Sequence, residues 1–445
     1  MIDANTLASA VHVPCLISGE MMQRMQTWED LYRDQAAWQK KRVRSMRLPA
    51  TIVRELKRLI LTEFSASVSE DELDHTFQRF LPQLRRQLDF GIAMGGMLLK
   101  PCYTSGGIVV DLVAQNAYLP VCYNNDCCTG LICPEEVAIG KNYYTRIELH
   151  QFDPIAQTHT IQQSCFRSGR PGMIGVPCAL SEVPQWAGIL PKKTFTNAKK
   201  PLFSLFQMPD SNNCDPTSPL GVSAYADAVD FIRDADEQWE RILWELESSE
   251  RAINASADLF RWQGGKPVLP KGRERMYQLI QPPDSKTFFE TFSPEIRDSS
   301  YFNALNQIFR RIETTVGLSY GTLSEVSDVE KTAEEIRSSK QRSFVRVSDM
   351  QANLRTALED LLYGMQYYRD YYANQQQTEA VLSCTFGDGV LEDSDKEYQR
   401  RVQMVRDKIM KPEVFLAWYF GCSEAEARDM MPEPQDPGGL FDGAF

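Results

Sequence analysis

Histidine is scarce in this 445-residue chain: there are four, His12, His75, His150 and His159. None stands in H-E-x-x-H and no G-x-S-x-G elbow is present, which excludes a helix-borne zinc protease and an α/β-hydrolase nucleophile. Nucleotide loops are missing too. Ile139-Gly140-Lys141-Asn142 imitates the end of a phosphate loop, but Glu135 stands where the first glycine belongs and Asn142 replaces the hydroxyl that would hold magnesium. Gly387-Asp388-Gly389 opens a G-x-G, yet Glu392 occupies the third glycine position. No apolar run approaches the roughly 20 residues of a membrane-spanning helix. The start, MIDANTLASAVHVPC, lacks the basic head and apolar core of a secretory signal, so the chain is expected in the cytosol of the cell that makes it.

Eleven cysteines, an odd number without such a signal, argue against a disulfide framework. Cys122, Cys127, Cys128 and Cys133 cluster, but their C-x4-CC-x4-C spacing departs from the close pairs that zinc uses. Small thiols in a sheet and its turns are the expected reading, with no metal and no cofactor. His150 and His159 flank a hairpin near this cluster and keep a metal-dependent enzyme open as the alternative. Net charge is −12, from 48 Lys and Arg against 60 Asp and Glu. Tight duplex binding needs cations for phosphates and is disfavoured. A wall past which DNA slides is compatible with negative charge.

What is present is a long alternation of helical and β patterns, an α+β chain. Helical periodicity covers Met21 to about Arg44, Leu48 to Phe64, and a segment opened by a Ser69/Glu72 capping box that carries Leu73, Phe77, Phe80, Leu84 and Leu88 and is kinked at Pro82. Short alternating runs follow in Met97–Gln115, Leu131–His150 and Thr158–Phe166, with LLKPCYTSGGIVVDLV reading as a hairpin. From Ser218-Pro219-Leu220-Gly221, apolar residues recur at threes and fours to about Asn254. Residues 256–292 break this with Gly264-Gly265, Pro267, Pro270 and Pro282-Pro283, reading as a small α/β or hairpin module. Ser293 and Pro294 open another helix, to about Val316. A polar loop leads to a Thr332/Glu335 capping box and about forty helical residues. The strand AVLSCTF and two short helices close the pattern, the last helix opened by Ser423/Glu426, before a flexible tail from Met431.

The order helix, Pro- and Gly-broken module, helix, polar loop, long helix resembles the portal protein of tailed bacteriophages, of siphophage type. The strings that carry the resemblance are GLSYGTLSEVSDVEKTAEEI and SPLGVSAYADAVDFIRDADEQWERILWELESSERAI. It implies a portal fold: an N-terminal arm over 1–20, a mixed helix and sheet wing over 21–215, a two-helix stem at 219–255 and 293–317, and a small α/β clip at 256–292. A tunnel loop at 318–331, a long wing helix at 332–373, a C-terminal strand and helices at 374–430 (wing or crown) and a tail at 431–445 complete it. The function implied is that of a head–tail connector, not an enzyme: a ring, usually of twelve subunits, at one capsid vertex of the virion, assembled in the cytoplasm of the infected bacterium. Double-stranded DNA passes through it in packaging and ejection. Its partners would be further copies of itself, the terminase large subunit, a head–tail adaptor, and the major capsid and scaffolding proteins, with no membrane. Tyr320, Thr322, Leu323, Ser324 and Glu325 would project toward DNA. Lys266, Lys271, Arg273 and Arg275 in the clip would meet the terminase or the adaptor. Another phage structural protein is a further alternative.

Overall fold

The computed structural model describes residues 2–41, 43–124, 127–249, 252–256, 259–263, 266–268, 277–280, 289–292, 298–325, 333–373, 379–386, 394–420, 427–428 and 431. The chain divides into two compact units, Met1–Gly387 and Asp388–Phe445. Its broad class is α+β.

The first unit begins with helices α1 (Ala4–Ala10), α2 (Gly19–Tyr32) and α3 (Leu48–Leu61), and α4 (Asp71–Met94) follows the short strand β1 (Ser65–Val68). The helix expected to reach Arg44 stops at Tyr32. Asp34 adopts a left-handed φ of 61°, and the Gln39 side chain accepts the Ala36 N–H to start a 3-10 turn. The Ser69/Glu72 capping box is corrected by one residue. Glu70 caps α4, its carboxylate accepting the Glu72 and Leu73 N–H groups, while the Ser69 hydroxyl accepts from Val381 N–H. That bond joins β1 to its antiparallel partner β16 (Leu382–Thr385). α4 is assigned as one helix through Pro82. Pro82 and Gln78 both face solvent, so the carbonyl that loses its N–H partner can turn to water. The opposite stripe, Phe77, Leu84 and Leu88, is fully buried, and such side chains contribute about 1.5–3 kcal/mol each.

Two sheets follow. The hairpin β2 (Gly96–Thr104) and β3 (Gly107–Ala114) forms about Ser105-Gly106 and takes β10 (Ser204–Gln207) as a third strand. The larger sheet is antiparallel, in the order β4 (Leu119–Asn124), β5 (Cys127–Ile139), β6 (Asn142–Asp153), β7 (Thr158–Ser168). The outer edge of β7 is shared by β8 (Val176–Cys178) and β9 (Lys192–Thr196).

The helix expected from Pro219 to Asn254 is shorter at both ends: α5 spans Val229–Ser248. Leu220, Val222, Ala224 and Tyr225 are buried as periodicity suggests, but in a non-helical segment laid against the end of α4. Gln115 accepts the Gly221 N–H and donates to the Gly221 carbonyl, and Ala224 N–H donates to Ile92. The approach is so close that a Cβ on Gly221 would stand 2.1 Å from the Gly95 carbonyl oxygen. Ile253 and Asn254, expected in the helix, lie in strand β11 (Ala252–Ser256). β11 is flanked by β14 (Tyr277–Ile280) in parallel and β15 (Phe289–Phe292) antiparallel; β12 (Trp262–Gln263) pairs with β13 (Lys266–Pro267).

α6 (Asp298–Val316) packs beside α5. α7 (Ala333–Ala373) is 41 residues long, about 60 Å at the helical rise. It crosses β2 and β10 and drives Leu354, Leu358, Leu361 and Met365 into the same core as α3 and α4. The Ser293, Thr332/Glu335 and Ser423/Glu426 caps and the tail beyond Met431 fall outside the described residues. In the second unit, α8 (Ser394–Arg406) meets α9 (Pro412–Phe420) through Tyr398, Phe415 and Tyr419.

Candidate functional site

The connection from α6 toward α7 is built by α6 itself. Gly317 takes a φ of 69°, and Leu318 N–H returns to the Glu313 carbonyl at 2.9 Å. This is the six-to-one bond of a glycine C-cap, and it sends the chain back along the helix. A tight turn follows in which Ser319 O accepts the Thr322 N–H and hydroxyl, with Gly321 at φ 86°. Glu313, only 2% exposed, then gathers the chain beyond. Its Oε1 accepts Leu323 N–H at 2.6 Å and Ser324 N–H at 2.8 Å, and its Oε2 accepts the Ser324 hydroxyl at 2.8 Å. Asn306 Oδ1 accepts the Glu325 N–H at 2.8 Å. The Arg310 guanidinium lies over the Tyr320 ring at 5.0 Å, and the Tyr320 hydroxyl donates to the Glu325 carbonyl.

This geometry sorts the residues expected to project. Thr322 and Glu325 are exposed and Tyr320 and Leu323 half-buried. Leu323 packs toward the core. Ser324 is corrected: it is buried, because its hydroxyl and amide both belong to Glu313. Residues 326–332 fall outside the description. From below, Arg346 of α7 braces the turn, donating to Asp210 at 2.6 Å and to the carbonyls of Thr315 and Ala224. A Cβ on Gly317 would meet its Cδ at 2.6 Å. The surface offered is a hydroxyl, a carboxylate and part of a phenol ring, with the half-buried Arg310 guanidinium against that ring. Of the clip cations, Lys266 is placed in β13, and Lys271, Arg273 and Arg275 lie outside the described residues.

The cysteines and histidines of the alternative reading do not converge. Cys122 and Cys127 are exposed and Cys128 is buried. Burial pushes the Cys128 and Cys133 thiols up to about 12. The histidines instead join a buried ion network between β2 and the larger sheet. Glu148 Oε1 accepts from Lys100 Nζ at 2.6 Å and meets His150 Nε2 at 2.7 Å; its Oε2 accepts from Gln163 and Arg146. His150 Nδ1 lies 3.0 Å from His159 Nε2. A carboxylate only accepts, so His150 carries its proton on Nε2. The buried Nδ1 of His159 has no hydrogen-bond partner. A proton there would find no acceptor, and burial, then His150, hold the His159 ring well below its usual 6.5. Among the described residues no group of three or more His, Cys, Asp or Glu side chains is arranged to hold a metal ion.

Glu313 was not anticipated. Its signal was available, because it falls eight residues after Leu305 on the stripe that also carries Ile312 and Val316, and a carboxylate on an apolar stripe needs a partner. Comparison with protein-family models and with curated proteins finds no match for this chain.

Proposed function

We propose that this chain is the portal protein of a tailed bacteriophage. The observation that carries the reading is the order of three helices: α5 and α6 side by side, the strands of 252–292 between them in sequence, and the 41-residue α7 after them. In this reading α5 and α6 are the stem, the strand-rich segment is the clip, and the loop after Gly317 faces DNA. Copies of the chain, about twelve, close a ring at one vertex of the virion. Terminase docks on the clip during packaging and supplies the ATP hydrolysis, a head–tail adaptor replaces it, and capsid and scaffolding proteins surround it. The chain is then a conduit and not an enzyme. Thr322, Glu325 and the half-exposed Tyr320 suit the loop for passage, since hydroxyls and a carboxylate offer phosphates little affinity. Exposed Trp244 and Leu246 on α5 and Phe302 on α6 supply apolar surface for neighbouring subunits.

The test is the mass of the purified protein in solution, with negative-stain images of the same sample. A ring near twelve times 50.8 kDa with a central hole is the expected result. A compact dimer or tetramer without a channel would overturn the reading.

A further inference from the structure

Cys165 in β7 and Cys178 in β8 are direct register partners in an antiparallel pair, and their sulfurs are 3.3 Å apart. Opposed residues of such a pair have Cα atoms about 4.5 or 5.5 Å apart. A disulfide accepts Cα separations of about 4.4–6.8 Å, so closing the bond requires rotation of side chains and no movement of the strands. Gly175 fixes the approach: a Cβ there would stand 1.9 Å from the Arg167 carbonyl oxygen, a distance that only glycine permits. Cys165 is buried beside Val183, Trp186 and Tyr144, and Cys178 is half-buried.

We propose that Cys165 and Cys178 are a redox modification site, a dithiol that a peroxide converts to a reversible disulfide stapling β8 to the sheet. Cys178 is the sulfur that meets the oxidant. Cys165 is buried and burial pushes its thiol up, whereas the Cys178 side chain is partly open to solvent, where an oxidant reaches it. The Cys178 thiol gives its proton to solvent, its sulfur attacks one peroxide oxygen, the O–O bond breaks, and the hydroxide that leaves takes up a proton, so that Cys178 sulfenic acid and one water result. The Cys165 sulfur then displaces the hydroxyl from that sulfenic acid, the S–S bond forms, and a second water leaves with the Cys165 proton. Two thiols lose two protons and two electrons, and one hydrogen peroxide takes them up to become two waters. A small-molecule thiol reverses the reaction by exchange. The staple would restrain the turns that carry Val183 and Trp186, the latter ring lying 5.7 Å from the Arg146 guanidinium. None of this depends on the portal reading or on the loop after Gly317.

The full chain, purified in reductant and then freed of it, is treated with one equivalent of hydrogen peroxide, its remaining thiols are blocked, and it is cut with trypsin without reduction. Arg167 lies between the two cysteines, so the disulfide survives as two joined peptides that separate on reduction. That joined pair is expected before any other cysteine link, with slower amide exchange across residues 176–186, and it is expected to vanish in Cys178→Ser. In Cys165→Ser, Cys178 should stop at a sulfenic acid that dimedone traps. Recovery of Cys165 and Cys178 as blocked free thiols while other cysteines are oxidised would overturn the site. An absent dimedone adduct would overturn the role given to Cys178.

Discussion

Replacing Glu313 with alanine removes the acceptor for two backbone N–H groups and one buried hydroxyl. Hydrogen bonds to a charged partner contribute about 1.5–3 kcal/mol each, an upper sum near 9 kcal/mol. The losses do not add, however, because water reaches the freed N–H groups once the loop lifts, and Asn306 and the Arg310–Tyr320 contact still hold its outer end. We therefore expect the opening free energy of residues 318–325 to fall by about 2–4 kcal/mol, which is about 30- to 700-fold faster amide exchange there. Glu313→Gln keeps the volume and one carbonyl oxygen and should lose only about 1 kcal/mol. Exchange measured by mass spectrometry on peptides covering 317–325, with the middle of α6 as internal reference, gives the answer. Wild-type protection of Leu323 and Ser324 in the alanine variant would refute the role assigned to Glu313. An equal acceleration in α6 would refute it too, because the carboxylate would then be holding the whole helix and not the loop.

Buried His159 makes the protein acid-sensitive. With its folded value held below 6.5, His159 is protonated first in the unfolded chain, so its contribution is full above 6.5 and is lost as the pH falls from there. Burial opposes ionisation of Glu148, but its bonds to His150 and Lys100 outweigh it and hold the carboxyl well below 4.5; that contribution is present above 4.5 and lost as the pH falls through the lower folded value. His159→Gln should flatten the decline that begins at 6.5, as read from urea midpoints in a pH series, and parallel curves for variant and wild type would count against it. Gly317→Ala places a side chain in the left-handed region and against Arg346 Cδ, at a cost of at least about 1–2 kcal/mol; an unchanged melting temperature would contradict this. Asp236→Ala leaves the Trp38 Nε1–H and the Met46 N–H without their acceptor, and thermal melting should show a loss of about 1–3 kcal/mol for each donor left unsatisfied.

Periodicity located the elements that bury one regular face. α3, α4, the β2–β3 hairpin, β6 and α7 appear where the repeats of 3.6 or 2 place them. It misled where a buried segment is apolar without being regular. Residues 220–225 satisfy helical spacing because nearly all of them are buried, and what decides their conformation is Gln115, about a hundred residues away, bonding both backbone groups of Gly221. The loop was legible from Gly317 and Gly321, since both need positive φ. Which side chains it shows was not legible, because that depends on a carboxylate in the preceding helix. The cysteines repeat the lesson. The crowded run from Cys122 to Cys133 does not converge on a site, and the pair that touches stands 13 positions apart and meets only through strand register.

The exposed apolar residues of α5 bear on how copies of this chain would meet. Trp244 and Leu246 are 62% and 43% exposed and lie two positions apart, which is about 200° around a helix. One flat neighbour cannot cover both. A two-fold dimer uses the same patch on each partner and would leave one of them in water, whereas a ring joins two different surfaces of every subunit, one to each neighbour. Single exposed side chains are ordinary, but apolar residues on opposite flanks of one helix are the arrangement a heterologous contact requires. In the ring we propose, Trp244 and Leu246 belong to different interfaces. A serine at either position should then weaken assembly to the same open oligomers, and the two single variants, mixed, should cap short arcs instead of restoring the closed ring.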